Sequence, residues 1–257
     1  MTWIELDGAV NVRDLGALAT GDGRVTAPRR LLRGDNLQDL SPSDVRTLVA
    51  DIGVTTVVDL RSPGEVASDG PGPLTQVGSV RHSYHSVLPE QGTATDAAAD
   101  ALAIRHNGAR SRYPDDIRCG LYLGYLEDRP DQVVAALRTI ANAPGAALVN
   151  CAAGKDRTGV VVAMALTAVG VRREAVIADY AASAERMQAI LGRLRSSRTY
   201  ASDVDSTPAS EQAPRPQTMA AFLEQLDARY GGALGWLGER GFGPSDVRSL
   251  RAKLIAA

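Results

Sequence analysis

Short apolar runs rich in β-branched residues alternate along this chain with longer segments whose apolar positions recur at helical spacing. Val54 to Leu60 and Ala146 to Asn150 have the length and composition of buried strands, and Leu31 to Arg33 is a shorter strand candidate. Thr158 to Val169 is apolar over the length of a helix, and Gly170 follows it as a helix stop. The pattern therefore predicts strands and helices in alternation.

Capping and turn residues mark further helices. Ser41 precedes Pro42 and predicts a helix that ends near Asp51, where Gly53 can take a left-handed conformation. Residues 130–141 predict a second helix with one apolar face. Two more helices are predicted towards the C-terminus by apolar positions at helical spacing, which are Phe222, Leu223, Leu226 and Tyr230, and then Val247, Leu250 and Leu254.

The order strand, tight loop and helix around residue 151 is half of a parallel α/β unit. We therefore expect an α/β fold with a short, mainly parallel central sheet flanked by helices, in a single domain over residues 1–257. The segment from Ser183 to Gln217 differs, because it begins with a basic amphipathic stretch and continues into Ser/Asp/Pro-rich sequence. Such a segment is typical of a surface excursion, and we interpret 183–217 as a helical lid inserted in that domain.

Composition and charge exclude several classes of protein. The chain is 44% hydrophobic and 23% charged, as globular domains are, and its net charge of -2 gives no overall attraction to nucleic acid or anionic membranes. Gly159 to Val171 is the longest uncharged apolar run and is too short to span a bilayer, so no integral membrane segment is expected. Two cysteines and no visible secretory signal favour a reduced, cytoplasmic protein, with export by another route left open.

The residues that carry chemistry lie in one loop between the second predicted buried strand and the apolar helix. Cys151 and Arg157 are separated there by five residues. Backbone N–H groups converge at a helix N-terminus and suit a tetrahedral anion, and a guanidinium fork can bind two phosphate oxygens. We therefore expect a phosphate-binding loop formed by Ala152, Ala153, Gly154, Lys155, Asp156, Arg157 and Thr158.

The same positive field favours the thiolate form of Cys151, which is a strong nucleophile towards phosphorus. Thr158 can donate a hydrogen bond to the sulfur and ease its departure. This chemistry needs no metal or other cofactor, and His82, His85 and His106 lack the spacing of zinc ligands. Two alternatives are weaker. A nucleotide-binding P-loop would need a further glycine and a Ser/Thr that are missing here, and a structural cysteine would not explain the residues that follow it.

The nine residues Cys151-Ala152-Ala153-Gly154-Lys155-Asp156-Arg157-Thr158-Gly159 resemble the signature of the protein tyrosine phosphatase superfamily, in particular its bacterial branch with Cys-x-Ala-Gly-Lys-Asp-Arg-Thr-Gly. Weaker similarities to that branch are Asn11 to Gly16, Val58 to Ser62 with Glu65, Asp179-Tyr180 with Ser183, and the closing segment Gly241 to Leu254. The resemblance implies a phosphatase fold and hydrolysis of phosphotyrosine in proteins or peptides through a cysteinyl-phosphate. It also implies an aspartate that protonates the leaving group.

Two aspartates are candidates for that acid, and the resemblance points to both. Asp59 ends a predicted buried strand, at the sheet edge where active sites of parallel sheets gather, whereas Asp156 lies in the loop itself. We rank Asp59 slightly higher because a separate loop can approach the leaving oxygen from the far side, although either carboxylate can instead be a structural partner of a cation. Asp115 and Asp116 form an outside candidate. Asn150 stands where the family usually has histidine, and it can donate hydrogen bonds but cannot carry a positive charge.

The substrate is open within the chemistry of phosphate monoesters. Lys155 adds a second cation to the loop, and the resemblance to the Gly-Lys-Asp-Arg branch implies phosphoserine/threonine and phosphoinositides as further substrate classes. Two alternatives follow, namely a lipid phosphatase acting on phosphoinositides and a phosphate-recognition module without turnover. Cys119 has no neighbours of catalytic type and is expected to pack in the core.

Overall fold

A computed structural model of the chain describes residues 1–88, 108–204 and 212–256. His106 and the part of the predicted lid from 205 to 211 lie outside the described residues. Within them the chain forms a six-stranded sheet with helices on both faces. The strands are β1 (Thr2–Trp3), β2 (Arg13–Asp14), β3 (Leu31–Gly34), β4 (Val54–Asp59), β5 (Arg81–Tyr84) and β6 (Ala146–Asn150).

The sheet is mainly parallel, as the sequence predicts. Its strand order is β1-β2-β3-β6-β4-β5, in which β3, β6, β4 and β5 run parallel and β1 and β2 are antiparallel additions at one edge. The helices of the described residues include α1 (Pro42–Arg46), α2 (Pro63–Asp69), α3 (Ile117–Asp128), α4 (Pro130–Ala141), α5 (Asp156–Ala168), α6 (Arg173–Ala182), α7 (Met187–Ser196), α8 (Ala201–Val204), α9 (Pro216–Tyr230), α10 (Ala233–Glu239) and α11 (Pro244–Leu254).

Both faces of the central strands are buried, which explains why their sequences are nearly continuous apolar runs. Val58 of β4 and Val149 of β6 lie in the larger core with residues of α3, α4 and α5. Their neighbours Val57 and Leu148 point to the opposite face and pack in a smaller core with the segment around α1. The α/β prediction, with helices flanking a short sheet, is therefore confirmed.

Local start and stop signals act as predicted, with two shifts. Ser41 caps α1 through the amide of Asp44, and Gly53 closes the segment at φ 86°. Between them, the helix widens into a π-helical turn over Thr47–Ile52, which the capping pattern does not reveal. Helix α5 begins at Asp156, two residues before the predicted start at Thr158.

The topology brings chemistry to one edge of the sheet. Strand β6 is central, between β3 and β4, and the residues Gly34, Asp59 and Asn150 end these three parallel strands. The loop that begins with Cys151 therefore leaves the middle of the sheet at the edge where ligand sites of open α/β sheets lie.

Candidate active site

The loop after β6 is fixed by donors from three other segments. The amide of Asn36 donates to Ala152 O over 2.9 Å, and Asn11 Nδ2 donates to Ala153 O over 2.9 Å. Arg33 Nη2 donates to the carbonyl of the next residue, Gly154, over 2.8 Å. Because the N–H of a planar peptide unit points away from its C=O, carbonyls that are engaged outside the loop turn amides towards its interior. This is the arrangement that a bound anion requires.

Gly154 is the residue that makes this close packing feasible. Its φ is +65°, and a Cβ there would lie 2.4 Å from the carbonyl oxygen of Gly34 and 2.6 Å from the amide nitrogen of Asp35. Any side chain would therefore push the loop away from the end of β3. A glycine is therefore required at this position by both its conformation and its contacts.

Arg157 is held in a two-point ion pair by Glu65. Its Nη1 and Nη2 donate to the two carboxylate oxygens of Glu65 over 2.6 and 2.7 Å. Glu65 is itself fixed at the start of α2 by a capping box with Ser62, whose amide donates to the carboxylate over 2.7 Å. Burial raises the pKa of Glu65, but Arg157 outweighs it and lowers that pKa to about 2, so Glu65 stays charged. The guanidinium is thereby pre-oriented in the loop.

The sequence indicates Glu65 only as part of a weak motif and assigns it no part in phosphate binding. The signal that could have assigned one is Ser62-Pro63 followed by Glu65, which marks a helix start with an acidic third position. The partner Arg157 could not have been inferred, since it lies 92 residues away.

Two of the remaining weak motifs, the one from Asn11 to Gly16 and Asp179-Tyr180 with Ser183, meet in one buried ion cluster. Asp179 accepts from Arg13 Nε over 2.8 Å and from Arg33 Nη1 over 2.6 Å. Arg13 also donates to Asn11 Oδ1 over 2.7 Å and to Ser183 Oγ over 3.1 Å. Since Asn11 and Arg33 bind loop carbonyls, the cluster ties the N-terminal motif and α6 to the phosphate-binding loop.

We expect Asp179→Asn to destabilise the protein strongly. The substitution leaves the buried guanidinium groups of Arg13 and Arg33 without their carboxylate, and breaking a buried pair in this way costs about 3–5 kcal/mol. Asp131→Asn is the control, since Asp131 pairs with Arg129 at the surface and its side chain is 63% exposed. Denaturant unfolding measures both. A similar, small loss of unfolding free energy in the two variants would contradict this role of the cluster.

The two candidate acids lie in different surroundings. Asp59 is bound by its neighbour Arg61, whose amide and whose Nε and Nη2 donate to it over 2.8 to 3.1 Å, and its side chain is only 5% exposed. Asp156 has a side chain that is 26% exposed and lies beside Lys155, with its Oδ2 3.4 Å from Lys155 Nζ. The structure thus places one carboxylate in a buried ion pair and the other at the accessible side of the loop.

Several groups determine the charge state of Asp156. Burial raises its pKa, but the charges of Lys155 and Arg118 and a hydrogen bond from Tyr122 outweigh this effect and lower it. The Tyr122 hydroxyl donates to Asp156 Oδ1 over 2.5 Å, and Arg118 Nε lies 3.9 Å from the same oxygen. Burial also lowers the pKa of Lys155, against the opposing charges of Asp156 and Cys151. The loop itself carries two cations, Lys155 and Arg157, and the carboxylate of Asp156.

Three other predicted residues have defined places. Thr158 is fully buried, and its Oγ1 makes no hydrogen bond within the described residues, so its donation to the sulfur stays a prediction. Asn150, in the usual place of histidine, is buried, and its Oδ1 also lacks a partner in the described part of the chain. Asp116, an outside candidate for the acid, caps α3 and accepts from Thr218 Oγ1 over 2.7 Å.

Part of the predicted lid lies on the loop. Met187, Ile190 and Leu191 of α7 form a small cluster against Ala153, and Cys151 is only 2% exposed. Arg193, on the same helix, pairs with the buried carboxylate of Asp35. Further along, the carbonyl of Gln212 accepts from Lys155 Nζ and, over 3.3 Å, from Arg118 Nη1. The described part of the predicted lid thus contacts the phosphate-binding loop at Ala153 and Lys155.

In residues 1–88, 108–204 and 212–256, no group of three or more His, Cys, Asp or Glu side chains is placed to hold a metal ion. No helix in these ranges is long and apolar enough to cross a bilayer.

Cys119 packs in the core, as expected, and burial raises the pKa of its thiol to about 12. We expect peroxide to oxidise Cys151 before Cys119, because oxidation follows thiolate character. Mass spectrometry after a brief exposure measures the order. Preferential modification of Cys119 would contradict the assignment of the nucleophile.

This geometry defines a class of protein. A cysteine and an arginine with five residues between them, in a loop between the central strand and a helix N-terminus, form the site of a cysteine-dependent phosphatase. The sequence profile of the tyrosine phosphatase family matches residues 4–256, and the chain belongs to that family.

Relatives of known name agree with the family. The chain is 28% identical to the triple specificity protein phosphatase PtpB of Mycobacterium tuberculosis over 98% of each protein. It is 30% identical to a tyrosine-protein phosphatase of Nostoc commune over 52% of this chain and 46% of that protein. The predicted family, the enzyme class and the resemblance to the mycobacterial branch are confirmed.

Proposed function

We propose that this phosphatase hydrolyses phosphotyrosine in proteins or peptides in two steps through a phosphocysteine at Cys151. The observation that carries the proposal is the two-point hold of Glu65 on Arg157 within a loop whose carbonyls are engaged outside it. Arg157 and the loop amides bind the phosphate oxygens, and the sulfur attacks phosphorus. The donors are in place before substrate binds, and such preorganisation is what stabilises charge in a transition state.

We propose Asp156 as the group that protonates the leaving oxygen, ahead of Asp59. Its support is access, since its side chain is five times as exposed as that of Asp59, whose oxygens are engaged by Arg61. The pKa of Asp156 is lowered in the free protein, but a bound phosphate dianion adds negative charge beside it and raises its proton affinity. In the second step, the same carboxylate accepts a proton from the attacking water.

The cation pair beside Asp156 favours substrates that carry a second negative group. Lys155 and Arg118 both lie within 4 Å of the Asp156 carboxylate. We propose that phosphoserine/threonine and phosphoinositides are also substrates, and the name of the mycobacterial relative, a triple specificity phosphatase, supports such breadth.

We expect Lys155→Ala to reduce turnover of a multiply phosphorylated lipid more than turnover of an aryl phosphate. An equal loss on both would make Lys155 a general phosphate contact.

We propose that residues 183–217 act as a lid on a single domain. The contacts of α7 with Ala153 and the pairing of Arg193 with Asp35 support a closed position over the thiol. Trimming residues 200–216 should raise kcat/KM for bulky substrates and change it little for a small aryl phosphate. No gain in a variant shown to be folded would reject the lid.

A direct test of the proposed function is phosphate release from phosphotyrosine, phosphoserine and phosphoinositide substrates, with and without excess chelator. We expect phosphotyrosine turnover that persists in chelator, because the proposed nucleophile is a cysteine sulfur and not a metal-bound water. A phosphate-recognition module would bind an aryl phosphate without releasing phosphate.

The two free cysteines support a cytoplasmic location, which cell fractionation would test.

A further inference from the structure

Two buried phenols stand behind the carboxylate of Asp156. Tyr122 is fully buried on α3, and its hydroxyl lies 2.5 Å from Asp156 Oδ1. Tyr180, on α6, is 1% exposed and places its hydroxyl 2.7 Å from that of Tyr122. Neither phenol binds phosphate or attacks phosphorus in the mechanism proposed above, which leaves both hydroxyls without a role.

The hydrogen bonds that link Tyr180, Tyr122 and Asp156 run in one direction. An ionised carboxylate can only accept, so the single proton of the Tyr122 hydroxyl points at Asp156. The Tyr180 hydroxyl must then donate to the Tyr122 oxygen. Burial, followed by the negative charge of Asp156, raises the pKa of both phenols, so both stay protonated and remain donors. Donors linked in series polarise one another and strengthen the last bond, which is the one to the carboxylate.

Aromatic packing fixes both donors relative to α5. The ring of Tyr122 meets the rings of Tyr180 and Phe222 edge-on, with centroids 6.0 and 6.1 Å apart. A Cβ at Gly159 would lie 3.0 Å from the ring of Tyr180, so the first turn of α5 passes directly over that ring. The ring of Tyr122, on α3, is thus fixed by one ring from α6 and one from α9, and its hydroxyl is fixed with it.

The other partners of the Asp156 carboxylate are two charged side chains, Arg118 and Lys155. Arg118 Nε lies 3.9 Å from Oδ1, and Lys155 Nζ lies 3.4 Å from Oδ2. Both cations also bind the carbonyl of Gln212, in the segment proposed above as a lid. Tyr122 has no such link to that segment among its contacts in the described residues. Tyr122 is therefore the neutral donor that is fixed by ring packing and binds Oδ1. The other carboxylate oxygen, Oδ2, lies beside Lys155.

We propose that Tyr122, backed by Tyr180, is the positioning residue of Asp156, and that it aims the carboxylate at the reacting oxygen while the lid opens and closes. This inference rests on the proposed role of Asp156 as proton donor and acceptor. The phenols themselves touch neither substrate nor sulfur, and they act through Asp156.

The test is Tyr122→Phe, which keeps the ring and removes the hydroxyl. We expect kcat/KM to fall roughly tenfold for an alkyl phosphate and by less for an activated aryl ester, because only the former needs full protonation of its leaving group. Removing a donor from a carboxylate raises its pKa. The acid form of Asp156 then survives to higher pH, and the alkaline limb of the pH profile shifts up by on the order of one unit.

Two further variants separate positioning from packing. Tyr180→Phe should give the same changes in smaller size, since it acts one bond further away. Tyr125→Phe is the control, because its ring stacks on Tyr122 with centroids 6.1 Å apart, and it should leave the pH profile and the leaving-group dependence unchanged. A loss in Tyr122→Phe that is equal for all leaving groups, without a pH shift, would overturn the proposal.

The double variant Tyr122→Phe/Asp156→Asn distinguishes this inference from its premise. If Tyr122 acts through Asp156, the second substitution adds no further leaving-group dependence to Asp156→Asn alone. If Asp156→Asn shows no such dependence, the assignment of the acid fails and the inference with it. If Asp156→Asn shows it and Tyr122→Phe does not, the acid stands and only the positioning role is overturned.

Discussion

Arg157→Lys is expected to lower kcat/KM by about 10³-fold or more, with the fold intact. The arginine offers a planar fork that binds two phosphate oxygens at once, whereas a lysine offers a single point charge on a flexible stem. Removing one donor from a preorganised oxyanion site already lowers the rate by about 10²–10³-fold. In Arg157→Lys the second phosphate contact is also lost, and so is the orientation of the side chain by Glu65.

Arg138→Lys is the matched control for that variant. Arg138 also forms a two-point ion pair, with Asp246, but its side chain is 45% exposed and it lies on α4, outside the phosphate-binding loop. Its replacement should leave kcat/KM unchanged. Glu65→Gln keeps the shape of the partner and removes its charge, so we expect an intermediate loss. Full activity in a folded Arg157→Lys protein would remove the basis for phosphate binding by this loop.

Asp156→Asn is expected to reduce kcat/KM for alkyl phosphates by about 10²–10⁴-fold and for an activated aryl ester much less. The amide cannot donate a proton to the leaving oxygen, and a good leaving group departs without one. Measured against a series of esters, the dependence of rate on leaving-group pKa should become steeper.

Asp59→Asn is the competing variant, and it should behave differently. Asp59 is the buried partner of Arg61, so its replacement should lower the free energy of unfolding and reduce the rates for all leaving groups by a similar factor. The order of the two aspartates would be reversed if Asp59→Asn showed the steeper leaving-group dependence and Asp156→Asn did not.

Features set by neighbouring residues could be read from the sequence. The strands β4 and β6 are nearly continuous apolar runs because both of their faces are buried, and Ser41 and Gly53 mark the ends of one helical segment through local capping and backbone conformation. The phosphate-binding loop could be predicted for the same reason, because its residue types are consecutive.

Features that depend on distant pairs could not be read in this way. Arg33 lies in a short strand and resembles an ordinary polar residue until it meets Asp179, 146 residues away. Asp59 looked like an acid at the end of a strand, and only the structure shows how fully Arg61 engages it. Tyr122 carries no local sign of its contact with Asp156, 34 residues later.

The central claim is that Cys151 carries the phosphoryl group, and trapping that intermediate tests it most directly. The protein is quenched in acid during turnover of an aryl phosphate, digested, and the peptide that contains residue 151 is analysed by mass spectrometry. We expect a phosphoryl adduct on Cys151, with neither adduct nor turnover in Cys151→Ser. An adduct on any other residue, or phosphate release that persists in Cys151→Ser, would contradict the account.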